Sequence, residues 1–204
     1  ALVEGSKEKV ARLRAILKDL GSALVAFSGG VDSTFLLKVG TEVLGERCVG
    51  LVARSASMPD REFQESLELA RAMGARLLVA ESHELDDPRY AANPLERCYF
   101  CKQELFGICE RKRAELGLAA VLDGFNADDR RDWRPGHKAG EEQKVRSVLA
   151  EAGLTKAGPS SPAVPSRTCV ARPGDVRRVP TCFVPTISLL SRLGWNTPVD
   201  SASP

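Results

Sequence analysis

The chain has 204 residues, 43% of them hydrophobic and 27% charged, enough apolar material for one folded domain or one domain with an appendage. Lys and Arg total 29 against 27 Asp and Glu, and a formal net charge of +2 gives no general attraction to a polyanion such as nucleic acid. No segment reaches the roughly 18 consecutive apolar residues of a membrane span, and the charged start (Glu4, Lys7, Glu8, Lys9) does not read as a secretory leader.

Val10, Leu13, Leu17 and Leu20 repeat at helical spacing, with Ser6 as the expected N-cap and Gly21 as the stop. Residues 23–27 form an apolar run that ends in Ser28-Gly29-Gly30, as expected of a buried strand feeding a tight turn. A helix is expected over about residues 33–44, a strand over 49–53, and a second amphipathic helix around Phe63, Leu67 and Ala70, closed by Gly74. Residues 77–80 read as a third strand, about 102–116 as a helix and 119–122 as a fourth strand. This rhythm predicts right-handed βαβ units and a parallel, doubly wound α/β sheet, whose functional loops lie at the carboxyl ends of the strands. The loops after Phe27, Ala53, Ala80 and Leu122 are therefore the places to look for chemistry.

The segment from Ser28 to Thr34, Ser-Gly-Gly-Val-Asp-Ser-Thr, carries the strongest signal. Two glycines let the backbone turn tightly, and the following helix begins with unpaired N–H donors at the positive end of its dipole, which together suit an anion. No lysine is present, so this is not the loop that holds a γ-phosphate for transfer. An ordinary strand–turn–helix with an Asp or Ser cap shares the same pattern.

Four separated segments together resemble one family. Ser28-Gly29-Gly30-Val31-Asp32-Ser33 after an apolar strand is similar to the phosphate loop of the PP-loop ATP pyrophosphatases. Arg97-Cys98-Tyr99-Phe100-Cys101-Lys102, Asp123-Gly124-Phe125-Asn126-Ala127-Asp128-Asp129, and the run from Asp132-Trp133-Arg134-Pro135-Gly136 through Arg146 to Thr155-Lys156 then resemble the LarE family of ATP-dependent sacrificial sulfur transferases. The resemblance covers about residues 5–157, with Val148 standing where the family has proline. It implies an α/β domain over 1–157 of the PP-loop ATP pyrophosphatase type (adenine nucleotide alpha-hydrolase-like, Rossmann-like).

The resemblance also implies a chemistry. LarE-like enzymes use ATP to adenylylate a carboxylate of a pyridinium biscarboxylate mononucleotide, on the route to a nickel-pincer cofactor. A cysteine thiolate then forms a thioester, and cleavage of its own Cβ–S bond leaves the sulfur on the substrate; some members instead deliver sulfide from a [4Fe–4S] cluster held by three cysteines. By position, Ser28, Gly29, Gly30, Val31 and Ser33 are expected to cradle ATP, with Asp32 orienting Mg²⁺ or the loop. Ala53, Arg54 and Ser55 are expected near the adenine, and Gly124, Asn126 and Asp128 near ATP or its metal. Arg134 and Arg146 are candidates for a substrate phosphate or carboxylate, which a guanidinium matches bidentately. Bland roles share these residues: Arg54 as a surface charge, Asp32 as a helix-start acid, Asn126 and Asp128 as turn chemistry.

Six cysteines in a chain this long suit a reducing cytoplasm better than a disulfide scaffold. Cys98 and Cys101 lie three apart at a helix start, where both thiols can face one ligand, either a cluster or a redox partner; a lone pair falls short of the three or four ligands a metal site needs. Cys48 and Cys109 read as small packed apolar side chains. Composition breaks near residue 157: residues 158–204 hold no Lys and no Glu but eight of the twelve prolines, so an irregular tail is expected there in place of the family's C-terminal region. Cys169 lies at nearly the distance of the family's sulfur-donor cysteine, with Cys182 as a second option; the alternative expectation is that the family pattern is lost near residue 157 together with its donor. The partners expected are a small nucleotide substrate and, for the full-length family, a second copy of the chain, with neither nucleic acid nor membrane. Other readings are a different PP-loop enzyme, such as a tRNA thiolase or an NAD- or GMP-synthetase-like amidating enzyme, and an inactive ATP-binding remnant.

Overall fold

The computed structural model describes residues 4–55, 58–83, 86, 97–131 and 135–155. Arg134, Cys169, Cys182 and the whole segment 158–204 lie outside these residues. Helix α1 (Glu4–Leu20) leads into β1 (Ala23–Ala26), α2 (Val31–Leu44), β2 (Cys48–Ser55), α3 (Asp60–Ala72), β3 (Arg76–Ser82), α4 (Arg97–Glu115), β4 (Ala120–Leu122), α5 (Pro135–Glu142) and the short α6 (Val148–Glu151). Helix α1 begins at Glu4, so Ser6 sits within its first turn rather than capping it. Gly21 does end it: its φ is +73°, and its N–H donates to Leu17 O and Lys18 O, both at 3.2 Å.

The four strands are all parallel, in the order β3-β2-β1-β4. From β1 the chain steps outward through β2 and β3, then returns to pair β4 on the other side of β1, so a switch of direction lies between β1 and β4. In open parallel sheets, that crevice at the strands' carboxyl ends is where ligands enter. Both faces of β1 and of most of β2 are covered, which is why these strands read as continuous apolar runs, whereas β3 leaves Val79 exposed. Val25, Phe27 and Val52 pack with Leu13 and Leu17 of α1, Leu36, Leu37 and Val39 of α2 and Phe63 of α3. Leu24, Ala26, Val49, Leu51 and Val121 pack on the other side with Phe106, Ile108 and Cys109 of α4. Among the described residues, no helix is long and apolar enough to cross a membrane.

Beyond β4 the chain adds a partial rung that the sequence did not suggest. Arg146 bridges Leu122 in parallel, with Arg146 N–H donating to Val121 O at 2.9 Å and Asp123 N–H donating to Arg146 O at 3.2 Å. Val148 then opens α6 as its first helical residue, fully buried. Proline favours that position because its missing N–H is not needed there, so valine keeps the geometry and adds apolar packing. After α6 the chain passes Leu154, whose carbonyl accepts the Ala127 N–H at 2.8 Å.

Candidate functional site

The turn after β1 stands at the switch point. Phe27 N–H donates to Leu51 O at 2.8 Å, carrying the β1–β2 pairing up to the loop itself. Gly29 then takes φ = +73°, the left-handed region that side chains disfavour, and Gly30 is the extended residue before α2. No side chain caps that helix start. The two serines lace the turn instead: Ser33 Oγ donates to Gly30 O at 3.0 Å and lies 3.1 Å from Ser28 Oγ, while Gly30 N–H reaches Ser28 Oγ at 3.4 Å. The result is a pre-shaped loop, with Ser28 and Val31 exposed at its mouth and Ser33 buried beneath it. Thr34 Oγ1 is also buried, with no hydrogen-bond partner among the described residues. Leaving such a hydroxyl unpaired costs about 1–3 kcal/mol, so this turn is not optimised for stability alone.

The loop after β4 closes on the same place. A Cβ built on Gly124 would lie 2.9 Å from Ser33 N, 3.2 Å from Ser33 Cα and 3.3 Å from Asp32 C, so only glycine lets β4 approach the start of α2 this closely. Two residues on, Asn126 is buried and its Nδ2 donates to Asp32 Oδ2 at 2.9 Å. Its Oδ1 accepts the backbone N–H groups of Asp128 and Asp129, and Asp129 Oδ2 accepts the Asn126 N–H at 3.2 Å. Thus Ser28, Gly29, Gly30, Val31, Asp32, Ser33, Gly124, Asn126 and Asp128 belong to one neighbourhood, built by two loops from opposite sides of the switch point.

The other sequence candidates are placed as follows. Ala53, Arg54 and Ser55 do end β2, but the Arg54 guanidinium turns to the start of α3, where it meets Asp60 Oδ1 at 2.8 Å and lies 5.1 Å from the Phe63 ring centre. Arg146 pairs bidentately with Glu151, at 2.6 Å and 3.2 Å, and that ion pair raises its pKa further. A substrate anion at Arg146 must compete with Glu151.

The sequence reading passed over Asp123 as an acid with an environment of its own. Burial raises its carboxyl pKa, offset in part by the Ser147 hydroxyl, the Lys102 ammonium, the Phe125 N–H and His137. His137 of α5 stacks on Phe125, with ring centres 4.1 Å apart and planes tilted by 30°. Its place directly after β4 is the one signal the sequence offered, since acids at strand carboxyl ends are functional candidates in such sheets.

Cys98 and Cys101 occupy the first turn of α4, Cys98 exposed and Cys101 half-buried; all four described cysteines are free thiols. Tyr99 between them donates to Glu142 Oε2 at 2.6 Å, tying this turn to α5. Among the described residues, no three His, Cys, Asp or Glu side chains converge to hold a metal ion, so the pair alone does not make a cluster site. Burial pushes Cys48 and Cys109 up to about 12, matching their reading as packed side chains. At pH 8 each holds roughly a thousandfold less thiolate than an ordinary cysteine. Brief iodoacetamide treatment of the native protein is therefore expected to label Cys98 first and Cys101 more slowly, leaving Cys48 and Cys109 unmodified; peptide mapping by mass spectrometry checks it.

Comparison with known proteins agrees with this geometry. No family model matches the chain. It is 40% identical over 149 residues to the LarE-type pyridinium-3,5-bisthiocarboxylic acid mononucleotide synthase of Lactiplantibacillus plantarum, covering 72% of this chain and 54% of that protein. Over those residues the chain is similar to a LarE-type protein. An uncharacterized protein from Synechocystis is 41% identical over 150 residues, 74% of this chain and 56% of its own length. The chain thus spans just over half the length of these curated relatives. Among solved structures, the NH3-dependent NAD synthetase of Campylobacter jejuni superposes with a TM-score of 0.54 at 10% identity, over 73% of this chain and 77% of that one. That likeness shows the fold alone, a parallel α/β sheet of the kind the NAD synthetase has.

Proposed function

We propose that this chain is an ATP-using sulfur transferase, which adenylylates a carboxylate of a pyridinium biscarboxylate mononucleotide and replaces an oxygen of that carboxylate by sulfur, a step in nickel-pincer cofactor assembly. The observation that carries the reading is the serine-laced turn at residues 28–33, held against Gly124 at the switch point of the sheet. Such a turn offers backbone N–H groups and a helix N-terminus to a pyrophosphate without a lysine aimed at a γ-phosphate, which suits cleavage between the α- and β-phosphates.

The chemistry then balances without an outside oxidant. A substrate carboxylate oxygen attacks the α-phosphorus of ATP and pyrophosphate leaves. A cysteine thiolate attacks the acyl carbon of the mixed anhydride and AMP leaves, giving a thioester. Loss of the Cα proton of that cysteine breaks its Cβ–S bond, releasing a thiocarboxylate and leaving dehydroalanine in the chain. We assign the donor to Cys169. Arg134 and Arg146 are proposed to receive the substrate's anionic groups, and Ala53, Arg54 and Ser55 to border the adenine.

Asp32, in the first turn of α2 beside the loop, is the carboxylate that fits Mg²⁺, which takes one or two carboxylates together with substrate phosphates. When bound, the ion neutralises phosphate charge. The two thiols of the first turn of α4 do not by themselves fit a [4Fe–4S] cluster, so no step is routed through one. The site is proposed to act on a small nucleotide substrate in the cytoplasm, away from nucleic acid and membrane, with a second copy of the chain expected for the full-length family.

Calorimetry with ATP and Mg²⁺ tests the first half: binding is expected with a Kd between about 1 μM and 1 mM, the usual range for an enzyme's substrate. Absence of any heat with adenine nucleotides would sink the assignment. Pyrophosphate release tests the second half and should require the pyridinium carboxylate; release without it would remove the carboxylate from the mechanism.

A further inference from the structure

Asn126 is only 1% exposed, and both ends of its amide are engaged inside the protein. Its Oδ1 accepts two backbone N–H groups, from Asp128 at 3.0 Å and Asp129 at 3.2 Å. Those two donors fix which end of the amide is oxygen, so the NH₂ end is the one that reaches Asp32 Oδ2 at 2.9 Å. The bond joins positions 94 residues apart and spans the switch point, tying the loop after β4 to the first turn of α2. It is also charge-assisted, the stronger class of hydrogen bond.

We propose that Asn126 is a positioning residue: it touches neither nucleotide nor metal, but sets the orientation of the Asp32 carboxylate through which Mg²⁺–ATP is held. This rests on the ATP reading above. The geometry separates the two tasks of the site. The phosphate cradle is backbone and serine, built by residues 28–33 with no part played by Asn126. The link from Asn126 goes to the one carboxylate in the first turn of α2. Loss of the amide therefore removes the carboxylate's link to the loop after β4, while the serine bonds of the cradle stay in place.

The test measures ATP binding by calorimetry as a function of Mg²⁺, for N126A, D32A and the double variant N126A/D32A, with thermal unfolding showing that each is folded. N126A is expected to raise the Mg²⁺ needed for half-maximal binding about tenfold or more. In the D32A background N126A should add nothing, since a residue that acts only through Asp32 has no further effect once Asp32 is gone. An unchanged Mg²⁺ requirement in N126A or in D32A overturns the proposal, as does a full N126A effect in the D32A background. If the parent binds ATP while N126A matches it, only this inference falls; if the parent binds no nucleotide, the ATP reading falls first.

Discussion

Gly124→Val is expected to reduce ATP affinity by about two orders of magnitude, the scale that a misplacement of about 1 Å inflicts on an organised site. The atoms a side chain would strike at 2.9–3.3 Å are Ser33 N, Ser33 Cα and Asp32 C, all backbone, so no rotamer change relieves the clash. Either the first turn of α2 moves or β4 retreats from it, and both spoil the serine-laced turn. Gly124→Ala meets the same atoms with its Cβ alone and should cost about 1–3 kcal/mol of stability, as overpacking usually does, with an affinity loss nearer tenfold. The control is Gly5→Ala, in the exposed start of α1, where a Cβ meets nothing within 4 Å. There, alanine should stabilise by about 0.5–1 kcal/mol through helix propensity. Calorimetry for ATP and thermal unfolding for all three variants check the set; wild-type ATP affinity in Gly124→Val would show that the two loops do not need their close contact.

With Cys169 as the proposed donor, Cys169→Ala is expected to abolish sulfur transfer altogether while leaving ATP-dependent pyrophosphate release within about twofold of the parent, because the proposed mechanism gives adenylylation and sulfur donation to different groups. The parent should carry a second signature: after a single turnover, the peptide containing Cys169 loses the elements of hydrogen sulfide and becomes dehydroalanine. Mass spectrometry of that peptide reads the outcome directly. The same loss at Cys182 would move the donor there. An intact mass at both positions, with thiocarboxylate formed, would direct attention to the thiols of Cys98 and Cys101. An intact mass with no product would mean that this chain lacks a donor.

The central strands were legible because both their faces are covered. Buried parallel strands such as residues 23–27 are written as unbroken apolar runs, and Ser28-Gly29-Gly30 marks their end in plain chemistry. Element ends were less clear. The N-cap expected at Ser6 failed because Glu4 and its neighbours extend α1 past it. Helix α4 begins at Arg97 rather than near Lys102, since the mixed run Arg-Cys-Tyr-Phe shows no helical period of its own. The surroundings of Asp123 could not be read at all: Asp-Gly reads as a turn, and the groups that act on the acid (the Ser147 hydroxyl and the charges of Lys102 and His137) come from other parts of the chain. Arg146 is the reverse case, singled out as an anion receptor, yet held by a glutamate five positions on.

The anchoring of Leu154 to Ala127 has a consequence for distance. From that carbonyl to Cys169 is fifteen residues, a leash of at most about 50 Å when fully drawn out. The anchor is itself next door to Asn126. With Cys169 as the proposed donor, its thiol stays on a leash of that reach from Leu154, so a meeting with an acyl group activated in the same copy is intramolecular, with an effective local concentration in place of a diffusional search.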